Sequence, residues 1–143
     1  MREGVLCLIT SKNKVLLFLI EYTPIDRKWT GIGGFVNDGE TYENALLREV
    51  QEESAIVISK EDIHKAAELR LGELMMHVYT TDKWRGDLVA RDPSIKDIKW
   101  FDLDGLPYDQ MFEGSKEWMP RVLNGEKIRF ENSKVQTVKE FTD

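Results

Sequence analysis

A single cysteine in 143 residues excludes an intramolecular disulfide. Cys7 stands inside the apolar run Val5-Leu6-Cys7-Leu8-Ile9, where a thiol serves as a small buried hydrophobe. Long hydrophobic stretches are missing too. The longest are the six residues Val15 to Ile20 and the five of Val5 to Ile9, against roughly 20 needed to span a bilayer. No basic segment followed by an apolar core opens the chain, so neither a secretory signal nor a membrane partner is expected, and the expected location is cytoplasmic. Positive charge is in deficit, with 20 basic against 26 acidic side chains and a net charge of −6. That balance excludes a broad clamp on a phosphate backbone, and no nucleic-acid polymer is expected as partner. Small anionic substrates stay open, because a metal ion can supply the missing positive charge. With no repeat, low-complexity tract or linker, residues 1–143 are expected to form one α/β domain.

Val5–Ile9 and Val15–Ile20 flank a polar Thr10–Lys14 and read as a hairpin of two well-buried strands. A loop with Pro24 is expected over Tyr22 to Lys28, then a glycine-rich loop, Thr30-Gly31-Ile32-Gly33-Gly34-Phe35-Val36, and a turn at Asn37-Asp38-Gly39. Thr41 is an N-cap candidate with Glu43 in the first turn, which predicts a helix from about Thr41 to Ser54. Strands are expected over Ala66–Leu71, Met75–Thr81, Lys96–Leu103, Lys127–Phe130 and Val135–Phe141, with a second helix over Ser115–Leu123 that contains Pro120.

The predicted first helix carries the chemistry. In Arg48-Glu49-Val50-Gln51-Glu52-Glu53, the carboxylates of Glu49, Glu52 and Glu53 share an arc of about 100°. Carboxylates so crowded repel one another unless a cation sits among them, and hard oxygen ligands suit Mg²⁺ or Mn²⁺ rather than zinc. The pattern alone leaves two readings open, a solvated acidic face and a metal site. Tyr42, Ala45 and Leu46 point to nearly the azimuth of Glu49 and Glu53, whereas a solvated stripe lies opposite the apolar one. The bare backbone of the preceding glycine segment adds weight to the metal site, since it can approach a phosphate or offer a carbonyl to a cation.

Gly34, Glu40, Arg48, Glu49, Val50, Glu52, Glu53 and Ile56 fit eight of the nine specified positions of the 23-residue Nudix box, and the chain resembles that family. Ala55 stands where the box has its second glycine, at the expected helix end. The resemblance implies a Nudix fold, a mixed sheet sandwiched between helices, and hydrolysis of a nucleoside diphosphate linked to another group. It implies Mg²⁺ on Glu49, Glu52 and Glu53 with the Gly33 carbonyl as a further ligand. Arg48 would hold the catalytic glutamates and pair with Glu40 as a structural salt bridge. Glu53 or Glu52 would take the proton of the attacking water. Asp92 and Asp97 are an alternative base, because some members take theirs from a loop in this region.

Beyond the box, Trp29, Gly39-Glu40-Thr41, Gln51-Glu52-Glu53-Ser54, Trp100-Phe101-Asp102-Leu103-Asp104, Leu106-Pro107, and Trp118 with Pro120 resemble the MutT-type branch that hydrolyses oxidised purine nucleotides such as 8-oxo-dGTP. Carried over by position, Phe112 and Trp118 would hold the base, since aromatic faces suit a flat purine. Thr30, Gly34 and Glu113 would complete the substrate-binding set. The chain departs from that branch at Gly114 and Ser115, where two base-reading aspartates are absent, at Thr30 in place of an asparagine, and at Ile20-Glu21, where a basic residue is common. The expected partner is a small-molecule nucleotide, cleaved to monophosphate and pyrophosphate. Dinucleoside polyphosphates, nucleotide sugars and a noncatalytic nucleotide-sensing module are the alternatives. His77 is read as solvent-facing or hydrogen-bonded, and His64 as a surface residue.

Overall fold

The computed structural model describes residues 1–141. Two long strands open the chain, β1 (Arg2–Ser11) and β2 (Lys14–Thr23), joined through Lys12 and Asn13, both at positive φ. β3 (Asp26–Thr30), β4 (Ile32–Phe35) and the helix α1 (Tyr42–Ser54) follow. After α1 come β5 (His64–Leu71), β6 (Leu74–Thr81) and β7 (Ile95–Asp102). The helix α2 (Ser115–Leu123) precedes the closing hairpin β8 (Ile128–Glu131) and β9 (Lys134–Thr137). The strands form one mixed sheet in the order β3-β2-β1-β6-β5-β8-β9, with β4 paired to β1 and β7 paired to β2. β1 is the hub: it runs parallel to β6 along its other edge, while β4 and β2 share its remaining edge in antiparallel pairings.

Continuous apolar runs in β1 and β2 mean that both faces of the sheet are covered. Along β1, Val5, Cys7 and Ile9 join the core on the α1 side, with Ala45, Leu46 and Val50. Leu6 and Leu8 join the core on the α2 side, with Trp118, Met119 and Val122. Cys7 is fully buried there, which pushes its thiol pKa up to about 12.

Three expectations are corrected. Tyr22–Lys28 is not a loop: β2 continues to Thr23 and β3 begins at Asp26, with a ladder running from Phe18↔Thr30 to Thr23↔Asp26. Charged residues on a solvent-facing edge hide the strand pattern, and Glu21 and Arg27 pair across it at 3.6 Å. The glycine-rich segment is strand β4 rather than loop, invisible to a hydrophobic pattern because Gly33 and Gly34 have no side chains to alternate. The final strand ends at Thr137, so residues 138–141 lie outside it. Of the two readings of His77 the hydrogen-bonded one holds: the residue is 3% exposed, with Glu3 and Lys65 at its ring nitrogens. His64 is exposed at the start of β5, and α2 occupies its expected span with Pro120 inside it. No helix among the described residues is long and apolar enough to cross a membrane.

Candidate active site

Helix α1 is fixed at both ends by local chemistry. Thr41 Oγ1 accepts the Asn44 N–H at 3.1 Å, capping the first turn. At the other end Ala55 takes a left-handed conformation, φ 70° and ψ −8°, and its N–H donates to the Gln51 carbonyl. The terminal carbonyls that a helix leaves unpaired are met by the 85–91 loop: Arg91 N–H donates to Glu53 O at 2.8 Å and Val89 N–H to Ser54 O at 2.9 Å. That loop leads directly to Asp92, whose carboxylate accepts the Ser94 N–H.

Arg48 organises the acidic face. Its Nε and Nη2 donate to the two oxygens of Glu40 at 2.7 and 3.0 Å, a bidentate pair. Nη1 donates to Glu49 at 2.6 Å and to Glu52 at 3.3 Å, and Nη2 also reaches the Phe35 carbonyl at 3.0 Å. The guanidinium and the Asn37 N–H hold the Glu40 carboxyl well below its usual range, at about 2. Glu49 is tucked against Gly34, where any side chain would drive its Cβ into the Glu49 carboxylate. A Cβ at Gly33 would collide with the Val5 carbonyl of the neighbouring strand. Close backbone approach thus requires glycine at 33, whereas at 34 the absent side chain makes the seat for the Glu49 carboxylate.

Glu53 is placed differently from its neighbours. Burial, then the charges of Glu49 and Asp92, push its carboxyl up to about 8. Asp97 is exposed on β7, where its carboxylate accepts the Ile98 N–H. Of the two aspartates, Asp92 is the one that acts electrostatically on Glu53.

Among the described residues, no group of three or more His, Cys, Asp or Glu side chains is drawn together tightly enough to hold a metal ion as the side chains stand. Arg48 draws Glu49 and Glu52 toward itself, and the Glu52 side chain is 59% exposed. The donor set nevertheless fits a hard divalent cation, because all of its atoms are oxygens, the floor under Glu49 is free of side chain, and Glu49 and Asp92 bring negative charge to bear on Glu53.

The residues expected to bind substrate separate into two places. Gly34 lies within the acidic cluster, and Thr30 is half-buried on β3 opposite Phe18. Phe112 and Glu113 are exposed on the segment before α2. The Phe112 ring, 46% exposed, meets the Tyr22 ring edge-on at 5.3 Å, and Lys28 Nζ lies 5.9 Å from it. Trp29 Nε1–H donates to Gln110 Oε1 at 3.0 Å and ties this segment to β3. Trp118, expected at the base, is 5% exposed and belongs to the α2-side core, so the structure gives it a packing role. Sequence reasoning passed over Tyr22, whose phenol is raised to about 12 by burial and by the charges of Asp26 and Glu53. Its only signal was an aromatic residue inside a supposed loop.

Comparison with known proteins bears on the family and the fold. The NUDIX domain model matches residues 1–122. The chain is 33% identical over 131 residues to an oxidized purine nucleoside triphosphate hydrolase of Danio rerio, covering 87% of this chain and 80% of that protein. It is 32% identical over 103 residues to a NAD-capped RNA hydrolase NudC of Vibrio vulnificus, covering 71% of this chain and 40% of that one. A MutT protein from Bacillus halodurans superposes with a TM-score of 0.73, covering 98% of this chain and 99% of that chain at 14% identity, which speaks to the fold alone. With eight of the nine box positions present between Gly34 and Ile56 and the domain model matched over residues 1–122, the chain belongs to the NUDIX family of hydrolases.

Proposed function

We propose that this chain, acting as a single cytoplasmic domain, is a Mg²⁺-dependent pyrophosphohydrolase. Its substrates would be nucleoside triphosphates, with oxidised purine deoxynucleotides such as 8-oxo-dGTP as the class, and its products a monophosphate and pyrophosphate. The observation that carries the reading is Glu49 seated on bare Gly34 and held by Arg48, which Glu40 clamps in turn, with half-buried Glu53 beside it on the same helix face. Members of the family generally use a divalent metal. Glu49, Glu52, Glu53 and the Gly33 carbonyl would hold Mg²⁺ or Mn²⁺. When bound, such an ion neutralises phosphate oxygens and lowers the pKa of water.

The chain's own residues do the rest. Arg48, locked by Glu40, orients Glu49 and Glu52. Ionised Glu53 accepts the proton of the attacking water at a carboxylate oxygen, with Asp92 shaping its basicity from the adjoining loop. Phe112 and Tyr22 offer half-exposed rings for a flat base, and Lys28 stands near them. The likeness to an oxidized purine nucleoside triphosphate hydrolase supports that class of base. The likeness to a NAD-capped RNA hydrolase supports a second reading, a nucleoside diphosphate linked to another group.

A panel of 8-oxo-dGTP, dGTP, NAD⁺ and a dinucleoside polyphosphate, with Mg²⁺ and product analysis by ³¹P NMR, separates the readings. Pyrophosphate released from 8-oxo-dGTP is expected. Two nucleotides from a dinucleotide, with the triphosphates untouched, would establish the second reading. Binding without turnover of any of them would make the chain a sensor.

A further inference from the structure

Outside the active site, the described residues bury one cluster of titratable groups that the proposed chemistry does not use. At its centre is His77 of β6. Its Nε2 lies 2.7 Å from Glu3 Oε2 of β1, and its Nδ1 lies 3.0 Å from Lys65 Nζ of β5. An ammonium has only protons to offer, so Nδ1 must accept. The ring proton is therefore on Nε2, donated to the Glu3 carboxylate, and the imidazole is neutral. Further charged and polar groups face it from the neighbouring elements. Glu68 of β5 accepts from Lys65 at 2.8 Å and from Arg129 of β8 at 3.1 Å, with its Oε2 3.7 Å from His77 Nδ1. From α1, the Tyr42 ring stacks on the imidazole at 3.7 Å and 18°, and its hydroxyl donates to Glu3 Oε1 at 3.4 Å. Next to it, Glu43 accepts the Tyr79 hydroxyl at 2.6 Å. Burial lowers the His77 pKa against the opposing pull of Glu3, and the Lys65 charge lowers it further. A cavity of about 750 Å³ is lined in part by Tyr42, His64 and Lys65.

Glu3 reaches the active site from here. Its main-chain carbonyl accepts the Val36 N–H at 3.0 Å, just past β4. Its carboxylate, through Tyr42 and His77, fixes the first residue of α1. One residue thus anchors both ends of the 37–41 segment. That segment carries Glu40, which accepts the Asn37 N–H and clamps Arg48.

We propose that Glu3, His77 and Lys65 form a positioning network for the catalytic helix: neutral His77 locks the first turn of α1 onto β1, so that Glu40 meets Arg48 and Arg48 meets Glu49. The catalytic consequence rests on the function proposed above; the structural one does not. Added at Nδ1, a proton would face the Lys65 ammonium and leave two donors opposed. The sign follows: a histidine held neutral by the fold contributes fully above its unfolded pKa of about 6.5, and the contribution is lost as pH falls through the lower folded value. Turnover is expected to fall on the acid side with this network.

The test uses the full chain and two variants. In the wild type, ¹⁵N NMR at pH 7 should show His77 as the neutral Nε2–H tautomer, together with a hydrogen-bonded Arg48 Nε–H signal. His77→Phe keeps a ring against Tyr42 but loses both hydrogen bonds; the Arg48 signal should shift or broaden. Its kcat for 8-oxo-dGTP with Mg²⁺ should fall about tenfold with KM within about twofold. In His77→Gln an amide can donate to Glu3 and accept from Lys65. It should keep the Arg48 signal and the kcat at pH 7.5, and its acid-side fall should move to lower pH. A cationic or Nδ1–H imidazole at pH 7, an unmoved Arg48 signal or unmoved kcat in folded His77→Phe, or an acid limb identical in His77→Gln and wild type would each overturn the proposal. Should His77→Phe not fold, the wild-type tautomer and the His77→Gln profile decide. A wild type that hydrolyses no nucleotide overturns the functional reading, while the NMR results still judge the network.

Discussion

Helices α1 and α2 pack on opposite faces of one sheet, and they use their inward residues for different ends. α2 buries Ser115, Trp118, Met119 and Val122 and leaves Pro120 outside. α1 buries Ala45, Leu46, Val50 and Ser54 and then, along the same stripe, sets Glu49 and Glu53 into a half-buried position. Charge on an inward azimuth opposes folding, because desolvating a carboxylate costs free energy unless it is paired. Aromatic bulk on an inward azimuth favours folding. The same geometric fact therefore marks function on α1 and stability on α2.

The largest effect expected from this contrast is on the α2 side. Trp118→Ala should lower the free energy of unfolding by about 3–5 kcal/mol, as for truncating a buried aromatic. Urea unfolding measures it. A loss below about 1 kcal/mol, with KM for nucleotide strongly raised, would move Trp118 from packing to the base site.

On the α1 side, Glu53→Gln should cost turnover rather than stability, at least about 10²-fold in kcat, in line with removal of a general base. The same residue predicts a pH effect. Its carboxyl is raised from 4.5 to about 8 in the folded chain, so the fold holds a proton that the unfolded chain releases. Stability from this group is full below about 4.5 and is lost as pH rises toward about 8. With EDTA present, Tm should drop over that window; Glu53→Gln should flatten the slope, and added Mg²⁺ should reduce it. Equal slopes in the two chains would remove Glu53 from this role.

Gly34→Ala tests the seat of Glu49. The added Cβ enters the space of that carboxylate, so Glu49 must turn away from the position where Arg48 holds it. A tenfold or larger fall in kcat is expected, on the order of what misplacing a reacting group costs, with unfolding changed by about 1 kcal/mol or less. Unaltered turnover would show that Glu49 need not rest there.

These features differ in how far the sequence reveals them, for local and nonlocal reasons. α1 was legible because Thr41, Glu43 and the apolar spacing are signals within a few residues, and the structure caps it at Thr41 as expected. The Arg48–Glu40 pair, implied by the family resemblance, is formed. β4 was not legible, since glycines that make room for β1 and for Glu49 carry no side-chain pattern. β3 was hidden by its charged edge. The burial of His77 could not be read, because its partner Glu3 is 74 residues away and arrives only through the parallel β1–β6 ladder. The acidic arc was read from helical geometry, but the pull of Arg48 on Glu49 and Glu52 depends on side-chain torsions that spacing does not fix.

Ala55 offers the smallest effect and the sharpest check on whether the active-site face tolerates strain. An L-residue in the left-handed region costs roughly 1–2 kcal/mol, which glycine avoids, while glycine loses about 0.4–1 kcal/mol through the greater freedom of the unfolded chain. Ala55→Gly should therefore stabilise by about 0.5–1 kcal/mol, read as a higher urea midpoint at unchanged m-value. Alanine is tolerated because the helix end does not depend on its cap alone: Arg91 and Val89 already satisfy the Glu53 and Ser54 carbonyls from the neighbouring loop. That tie also keeps the backbone of Glu53 in place, so kcat should stay within about twofold. Destabilisation by the glycine would mean that contacts of the Ala55 methyl outweigh its strain. A large loss of turnover at unchanged stability would mean that the rigidity of residue 55, and not the loop, sets the position of Glu53.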